Sequence, residues 1–163
     1  MKKAFRAARL PGCLVLLGLC AGLAASAAAQ PAGRTFGLGG QIGRPSGVTL
    51  KVYRPGPSGI LRRADAFTLL AAWDLEEVFF LNAHLLRERP IPESPLRYFF
   101  GPGLALGFED TRRAGLVLGV SGAFGVNFFR ERFEVYLQVT PRLNLFPNTH
   151  GAFDAGIGMR YYF

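Results

Sequence analysis

Apolar and polar side chains alternate along most of the chain, and most clearly in the segment FEVYLQVTPRLNL at residues 133–145. One parity holds Phe133, Val135, Leu137, Val139, Leu143 and Leu145, and the other holds Glu134, Tyr136, Gln138, Thr140, Arg142 and Asn144. Because successive side chains of a β-strand point to opposite faces, an alternation of this length predicts a strand with one apolar and one polar face.

Eight such runs can be marked, at residues 34–43, 47–54, 64–74, 77–87, 96–108, 114–127, 132–145 and 151–163. The segments between them are rich in Pro, Gly, Asn and charged residues, which are turn signals. Alternating runs of about ten residues that are separated by turns are typical of a transmembrane β-barrel. The sequence therefore predicts an all-β fold, an eight-stranded antiparallel up-and-down transmembrane β-barrel, although a soluble β-sandwich or lipocalin would also alternate.

The composition of the second face favours the membrane barrel. This face is rich in glycine, at Gly37, Gly39, Gly101, Gly103, Gly107, Gly119, Gly125, Gly156 and Gly158. It also collects charges of both signs and amides, which we interpret as a polar network that fills the lumen: Lys51, Arg97, Glu109, Glu134, Gln138, Arg142, Asp154 and Arg160, with Gln41 and Asn82. A surface that faces water does not need so much glycine, whereas a crowded lumen does. Charges in such a lumen are tolerable only when they are paired.

The first 29 residues have the pattern of a secretory signal peptide. Four basic residues precede an apolar run from Leu10 to Leu23, and Ala27 and Ala29 satisfy the small-x-small rule for cleavage before Gln30. An uncleaved membrane anchor is the alternative. After cleavage, residues 30–163 would form one barrel domain without cysteine. Removal of the four cations of the leader lowers the formal charge from +8 to +4. A charge so small and so dispersed argues against nucleic acid as a partner.

The chain ends in GIGMRYYF, with Ile157, Met159, Tyr161 and Phe163 on one parity of the last run. This pattern resembles the C-terminal signal by which outer-membrane proteins are recognised for barrel insertion, with an aromatic terminal residue. The region after the leader looks like the small eight-stranded outer-membrane proteins of the OmpA and OmpX type. More narrowly, GRPSGVTLK at residues 43–51 is similar to uncharacterised small barrels with a G-x-P-[ST]-G hairpin followed by Thr-x-Lys. That narrower likeness implies no known activity.

The resemblance implies a location in the outer membrane of a Gram-negative cell envelope. The expected partners are outer-membrane lipid and, during biogenesis, periplasmic chaperones and the barrel assembly machinery; we expect a monomer. The aromatic clusters at residues 79–80, 98–100, 128–129 and 161–163 fit interfacial girdles. With the last strand ending in the periplasm, four short turns would lie outside, which leaves little surface for adhesion.

No catalytic or cofactor chemistry is expected. His84 is predicted to face the lumen beside Asn82, His150 lies in a turn, and Ser121 is on the lumen parity, so no Ser, His and acid triad is predicted on the outer surface. No set of side chains has the spacing of a metal site. The first hypothesis is a structural or interaction barrel, the second is a narrow channel or carrier for small or amphipathic solutes, and a lipid-acting enzyme is the third. A soluble periplasmic lipocalin-like binder is a further alternative.

Overall fold

A computed structural model of the protein describes residues 34–53, 64–73, 78–109 and 115–163, without the side chains of Val78 and Glu109. The predicted signal peptide and its cleavage site lie outside the described residues. Eight strands follow one another in the chain: β1 (Phe36–Arg44), β2 (Gly47–Tyr53), β3 (Ala66–Trp73), β4 (Val78–Pro90), β5 (Leu96–Glu109), β6 (Gly115–Arg130), β7 (Phe133–Phe146) and β8 (His150–Tyr162). Within these ranges, no helix is long and apolar enough to cross a membrane.

Each strand pairs antiparallel with its neighbours in the chain, and β1 pairs with β8, which closes the barrel. The closing register runs from Gly37 opposite Tyr162 to Arg44 opposite Ala155. This architecture confirms the predicted fold class. The predicted strands agree with the observed ones to within a few residues. The largest differences are at the ends of β4 and β6, which both extend three residues beyond the predicted limit.

The barrel has an apolar exterior and a polar interior. The outward side chains include many large apolar residues that are exposed, among them Ile42, Leu104, Phe124, Leu137, Leu143, Phe153, Ile157 and Met159. The inward side chains include a large set of buried polar and charged groups, among them Gln41, Thr49, Lys51, Asn82, His84, Glu88, Asn127, Glu134, Asn144 and Arg160. A soluble barrel that buries an apolar core has the opposite distribution.

The aromatic clusters differ from the expectation that they form girdles only. Because neighbouring residues of a strand face opposite sides, each cluster divides between the exterior and the lumen. Phe79, Phe100 and Tyr98 are exposed, whereas four members point inward and are buried: Phe80, Phe99, Phe129 and Tyr162. The lumen is therefore filled by aromatic rings as well as by polar groups.

Besides Pro90 at the end of β4, two prolines lie in strand interiors, at places where the pairing with one neighbouring strand is interrupted. Pairing of β4 with β5 stops at His84 opposite Gly103 and resumes at Arg87 opposite Phe100, and Pro102 falls in this interval. Pro141 falls in a similar interval between β6 and β7. Proline has no N–H to donate to a neighbouring strand. The pairing of the β5–β6 hairpin is thus interrupted with both of its neighbours, β4 on one side and β7 on the other.

Candidate functional site

The lumen has two ends, which the strand order distinguishes. We call the end with the β1–β2 and β7–β8 turns the mouth, and the end where β1 begins and β8 ends the terminal end. The charged cluster, defined as Lys51, Glu88, Glu134 and Arg160, lies at the terminal end, since each member is within two residues of the limit of its strand there.

Lys51 is the centre of the charged cluster. Its Nζ donates to Glu134 Oε1 at 2.6 Å and also to Glu88 Oε1. Arg160 Nη1 donates to Glu134 Oε2 at 3.2 Å, and Arg97 Nε lies 3.5 Å from Glu88 Oε2. Among the described residues, three cations thus surround two carboxylates. Charges that are this deeply buried are tolerable because each has an opposite charge in contact with it.

Neutral hydrogen-bonding groups complete the coordination of the two carboxylates. Asn127 Nδ2 donates to Glu134 Oε1 at 2.7 Å, and the Tyr162 hydroxyl donates to Glu134 Oε2 at 2.6 Å. The Tyr53 hydroxyl donates to Glu88 Oε2 at 2.9 Å. Each oxygen of Glu134 therefore accepts two hydrogen bonds, which satisfies its acceptor capacity.

Aromatic rings enclose the cations of the cluster. The ammonium of Lys51 lies 4.8 Å from the centre of the Tyr53 ring and 5.4 Å from that of Phe129. The guanidinium of Arg160 lies 3.7 Å from the centre of the Tyr136 ring. These distances are in the range of cation–π attraction. Tyr53, Phe129 and Tyr136 are each at most 7% exposed, so these rings and the paired charges pack together at the terminal end of the lumen and form what we call the plug.

The inward glycines make room for these rings. A Cβ atom on Gly158 would lie 2.3 Å from the Tyr136 hydroxyl, and one on Gly37 would lie 2.7 Å from the Tyr162 ring. No carbon atom can approach so closely without displacing its neighbour. The glycine-rich face of the sequence is therefore the complement of the bulky lumen residues.

A second polar layer, at the middle of the barrel, contains Asn82, His84 and Ser121. Ser121 Oγ donates to Asn82 Oδ1 at 2.9 Å and contacts His84 Nε2 at 3.1 Å. A hydroxyl has a single proton. Because Ser121 donates that proton to Asn82, it does not donate it to His84, as a general base would require. Among the described residues, no carboxylate hydrogen-bonds to His84.

The mouth carries a third layer, built on β7 and β8. Arg142 Nε lies 3.3 Å from Asp154 Oδ2, and Arg142 Nη1 donates to Asn144 Oδ1 at 3.3 Å. The side chain of Asn144 in turn contacts His150 Nε2 at 2.8 Å. The Arg142 guanidinium also lies 4.3 Å from the centre of the Phe80 ring. This layer borders an open cavity of about 310 Å³.

The structure brings most of the sequence-predicted lumen residues into these layers. Lys51, Arg97, Glu134 and Arg160 meet at the terminal end, while Arg142 and Asp154 meet at the mouth. Gln138 lies between the two groups and donates to Thr140 at 2.9 Å. The side chain of Glu109 lies outside the part that the structure describes.

Sequence reasoning missed several members of the charged cluster and of its hydrogen-bonding surroundings. Glu88 is the main one: it lies in the charged segment RERP, which the sequence suggests is a link rather than the end of β4. Asn127, Tyr53 and Tyr162 were also not assigned to the network. Alternation along the strands would have assigned these three side chains to the lumen. Tyr53 is on the same face of its strand as Lys51, Tyr162 is on the same face as Arg160, and Asn127 is on the same face as the buried Gly119.

The residues of the proposed assembly signal lie on the outward face of β8. Ile157, Met159 and Phe163 are exposed, and Tyr161 is half-buried. The Tyr161 ring packs edge-on against those of Phe133 and Phe163, at 5.2 and 5.1 Å between centres. This geometry leaves an aromatic strip on the outside of the closing strand. Its role as a recognition signal stays a prediction.

Within the described ranges, no group of three or more His, Cys, Asp or Glu side chains could hold a metal ion.

The fold and the polar lumen together define the class: an eight-stranded antiparallel barrel with the architecture of the OmpA-type proteins. No protein-family model and no curated protein matches the sequence. Among solved structures, the chain is similar to the N-terminal β-barrel domain of OprF from Pseudomonas aeruginosa, with a TM-score of 0.57 and 16% identity over 78% of this chain and 95% of that one. At this identity the likeness shows the fold alone.

Proposed function

We propose that the chain is an integral outer-membrane protein with a structural or interaction role and without catalysis, its lumen closed by the charged cluster. The observation that carries the proposal is the distribution of side chains between the two faces. Leu137 and Ile157 are 53% and 55% exposed on the outside, whereas Lys51 and Glu134 are 0% exposed inside. In lipid this distribution is favourable, because apolar groups contact acyl chains and charges pair away from them.

The same distribution argues against a soluble lipocalin-like binder. A monomer in water rarely exposes a continuous apolar surface of more than a few hundred Å². Here the outward apolar residues occur on all of the strands, from Leu38 on β1 to Met159 on β8. Water around this surface would favour aggregation.

The orientation and partners follow from the class of protein. The chain termini would lie in the periplasm and the mouth would face outward, with outer-membrane lipid around the barrel. The aromatic strip on β8 would be recognised by the barrel assembly machinery after periplasmic chaperones deliver the chain. A closed barrel has no free strand edge for pairing with a second copy, which supports a monomer.

The plug supports a structural role over transport. Eight strands enclose a lumen that side chains can fill, and at the terminal end rings and paired charges do so. A narrow channel or carrier remains the second candidate, since polar groups line the lumen from the mouth down to the plug; it would require the charged cluster to separate.

Single spin labels test the face assignment directly. The predicted mature chain has no cysteine, because Cys13 and Cys20 precede Gln30. One label is attached at Leu137→Cys, on the outward face of β7, and the other at Glu131→Cys, in the exposed β6–β7 turn. In lipid vesicles we compare how often each label collides with oxygen and with a water-soluble nickel complex.

The Leu137 label is expected to collide mainly with oxygen, which concentrates in the bilayer, and the Glu131 label mainly with nickel. A label on Gln138, the lumen neighbour of Leu137, provides the matched control and should be protected from both. Strong nickel collisions at Leu137, equal to those at Glu131, would contradict the membrane location.

A further inference from the structure

The cavity at the mouth has the dimensions of a ligand site. Its volume is about 310 Å³, and the residues that border it include Arg44, Ala72, Phe80, Arg142, Asn144 and Asp154. Pockets that hold small molecules usually start at about this volume. The charged cluster and its rings lie below this cavity, which we call the cup and whose described lining residues lie towards the mouth.

The Arg142 side chain in this cup has unused hydrogen-bonding capacity. Its only directed hydrogen bond to a described residue is the one from Nη1 to Asn144 Oδ1 at 3.3 Å. The contact of its Nε with Asp154 Oδ2, at 3.3 Å, is close enough for an ion pair. Both atoms are buried, so the donors that remain for a ligand are those of the two terminal nitrogens of Arg142. A guanidinium carries several donors in a fixed plane, which suits a carboxylate.

The charges of the described lining favour an anion. Among the described residues that border the cup, Arg44 and Arg142 supply two positive charges and Asp154 supplies one negative charge. The apolar part of the lining, formed by Ala72, Phe80 and neighbouring side chains, can hold a compact hydrocarbon body. An aromatic ring has this shape and can contact Phe80, whose ring already has the Arg142 guanidinium 4.3 Å from its centre.

We propose that the cup binds a small organic monoanion, with a carboxylate on Arg142 and a compact apolar or aromatic body against Phe80. Asp154 sets the limit of one negative charge, because a second carboxylate would be repelled by it. The site is formed by the barrel itself and does not depend on the membrane location. It would be open to whichever solution the mouth faces.

The chain contains its own reporter for this site. Trp73 is the single tryptophan of the sequence and borders the cup. Benzoate is titrated into refolded protein in detergent micelles, with Trp73 emission and isothermal titration calorimetry as readouts. Benzamide, which has the same shape without the charge, is the matched ligand control.

Two variants with opposite expected effects make the test specific. Arg142→Gln should weaken benzoate binding by about tenfold or more, because a charge-assisted hydrogen bond is lost. Asp154→Asn should tighten it, because the competing carboxylate is removed. Arg89→Gln is the matched control: Arg89 is exposed at the terminal end and should leave benzoate affinity unchanged.

Saturable binding of benzoate, weaker binding of benzamide and opposite shifts in the two variants would support the proposal. No saturable signal with the native protein, or equal affinity for benzamide, would overturn it. Folding of each variant is checked by its circular dichroism spectrum and its urea unfolding midpoint. If Arg142→Gln does not fold, Asp154→Asn decides alone, and unchanged or weaker benzoate binding in that variant would overturn the proposal.

Discussion

Replacing Glu134 by glutamine should strongly destabilise the barrel. Glu134 is fully buried, and its two oxygens accept hydrogen bonds from Lys51, Asn127, Arg160 and Tyr162. All four partners are donors. A glutamine amide has only one oxygen, and its NH₂ group would replace the other. The two donors that bonded to the replaced oxygen would then face another donor and lack an acceptor. After the substitution, Glu88 would also be the only carboxylate in the charged cluster, while all of its cations would remain.

The magnitude follows from the loss of one partner in a buried ion pair, which destabilises by about 3–5 kcal/mol. With a urea dependence of about 2 kcal/mol per molar, the unfolding midpoint should fall by roughly 2 M. The measurement is equilibrium unfolding in urea, in lipid vesicles, followed by tryptophan emission. Glu131→Gln, in the exposed β6–β7 turn, is the control and should change the midpoint little.

A double-mutant cycle separates the charge effect from general damage. Lys51→Gln combined with Glu134→Gln removes one charge of each sign, so the pair should lose less stability than the two single changes added together. An unchanged midpoint in Glu134→Gln, or strict additivity in the cycle, would refute the view that the cluster is a coupled buried network.

Three further predictions concern assembly, the strand ladder and the plug. Removal of Phe163 should reduce the amount of folded protein in the outer membrane without reducing secretion, as measured by immunoblotting of membrane and periplasmic fractions; normal membrane levels would contradict the proposed signal. Pro102→Val should raise the unfolding free energy by about 1 kcal/mol, because the new N–H can donate across the lapse in β4–β5 pairing; a lower urea midpoint would contradict this explanation of the lapse. The native protein in planar bilayers should show no stable open state, since rings and paired charges around Lys51 fill the terminal end; regular single-channel steps would instead favour the narrow channel.

Period-two alternation predicted the eight strands, and the glycine-rich and charged second face was needed to choose a membrane barrel over a soluble sandwich or lipocalin. The same parity assigns Lys51, Glu134 and Arg160 to the lumen, and the structure buries them there. Their partners could not be predicted in the same way. Lys51 and Glu134 are 83 positions apart in the chain, and only the register of the closed barrel brings them together.

The errors of the sequence reasoning also have physical reasons. Glu88 was missed because a charged segment followed by proline is typical of a link, whereas here β4 continues to Pro90 and turns Glu88 inward. Paired aromatics such as Phe79 and Phe80 suggested one girdle, although alternation sends the second ring of such a pair into the lumen. The cup at the mouth depends on which side chains leave space between them, and no sequence pattern reports that.

The most direct test of the central claim is the mobility of the protein from isolated outer membranes in SDS gels, with and without boiling. A folded membrane barrel resists SDS because its strand ladder closes on itself and its apolar exterior already accepts detergent. The proposal predicts that the protein is found in the outer-membrane fraction and that boiling shifts its mobility. A soluble periplasmic protein whose mobility does not change on boiling would contradict the membrane barrel and favour a lipocalin-like binder.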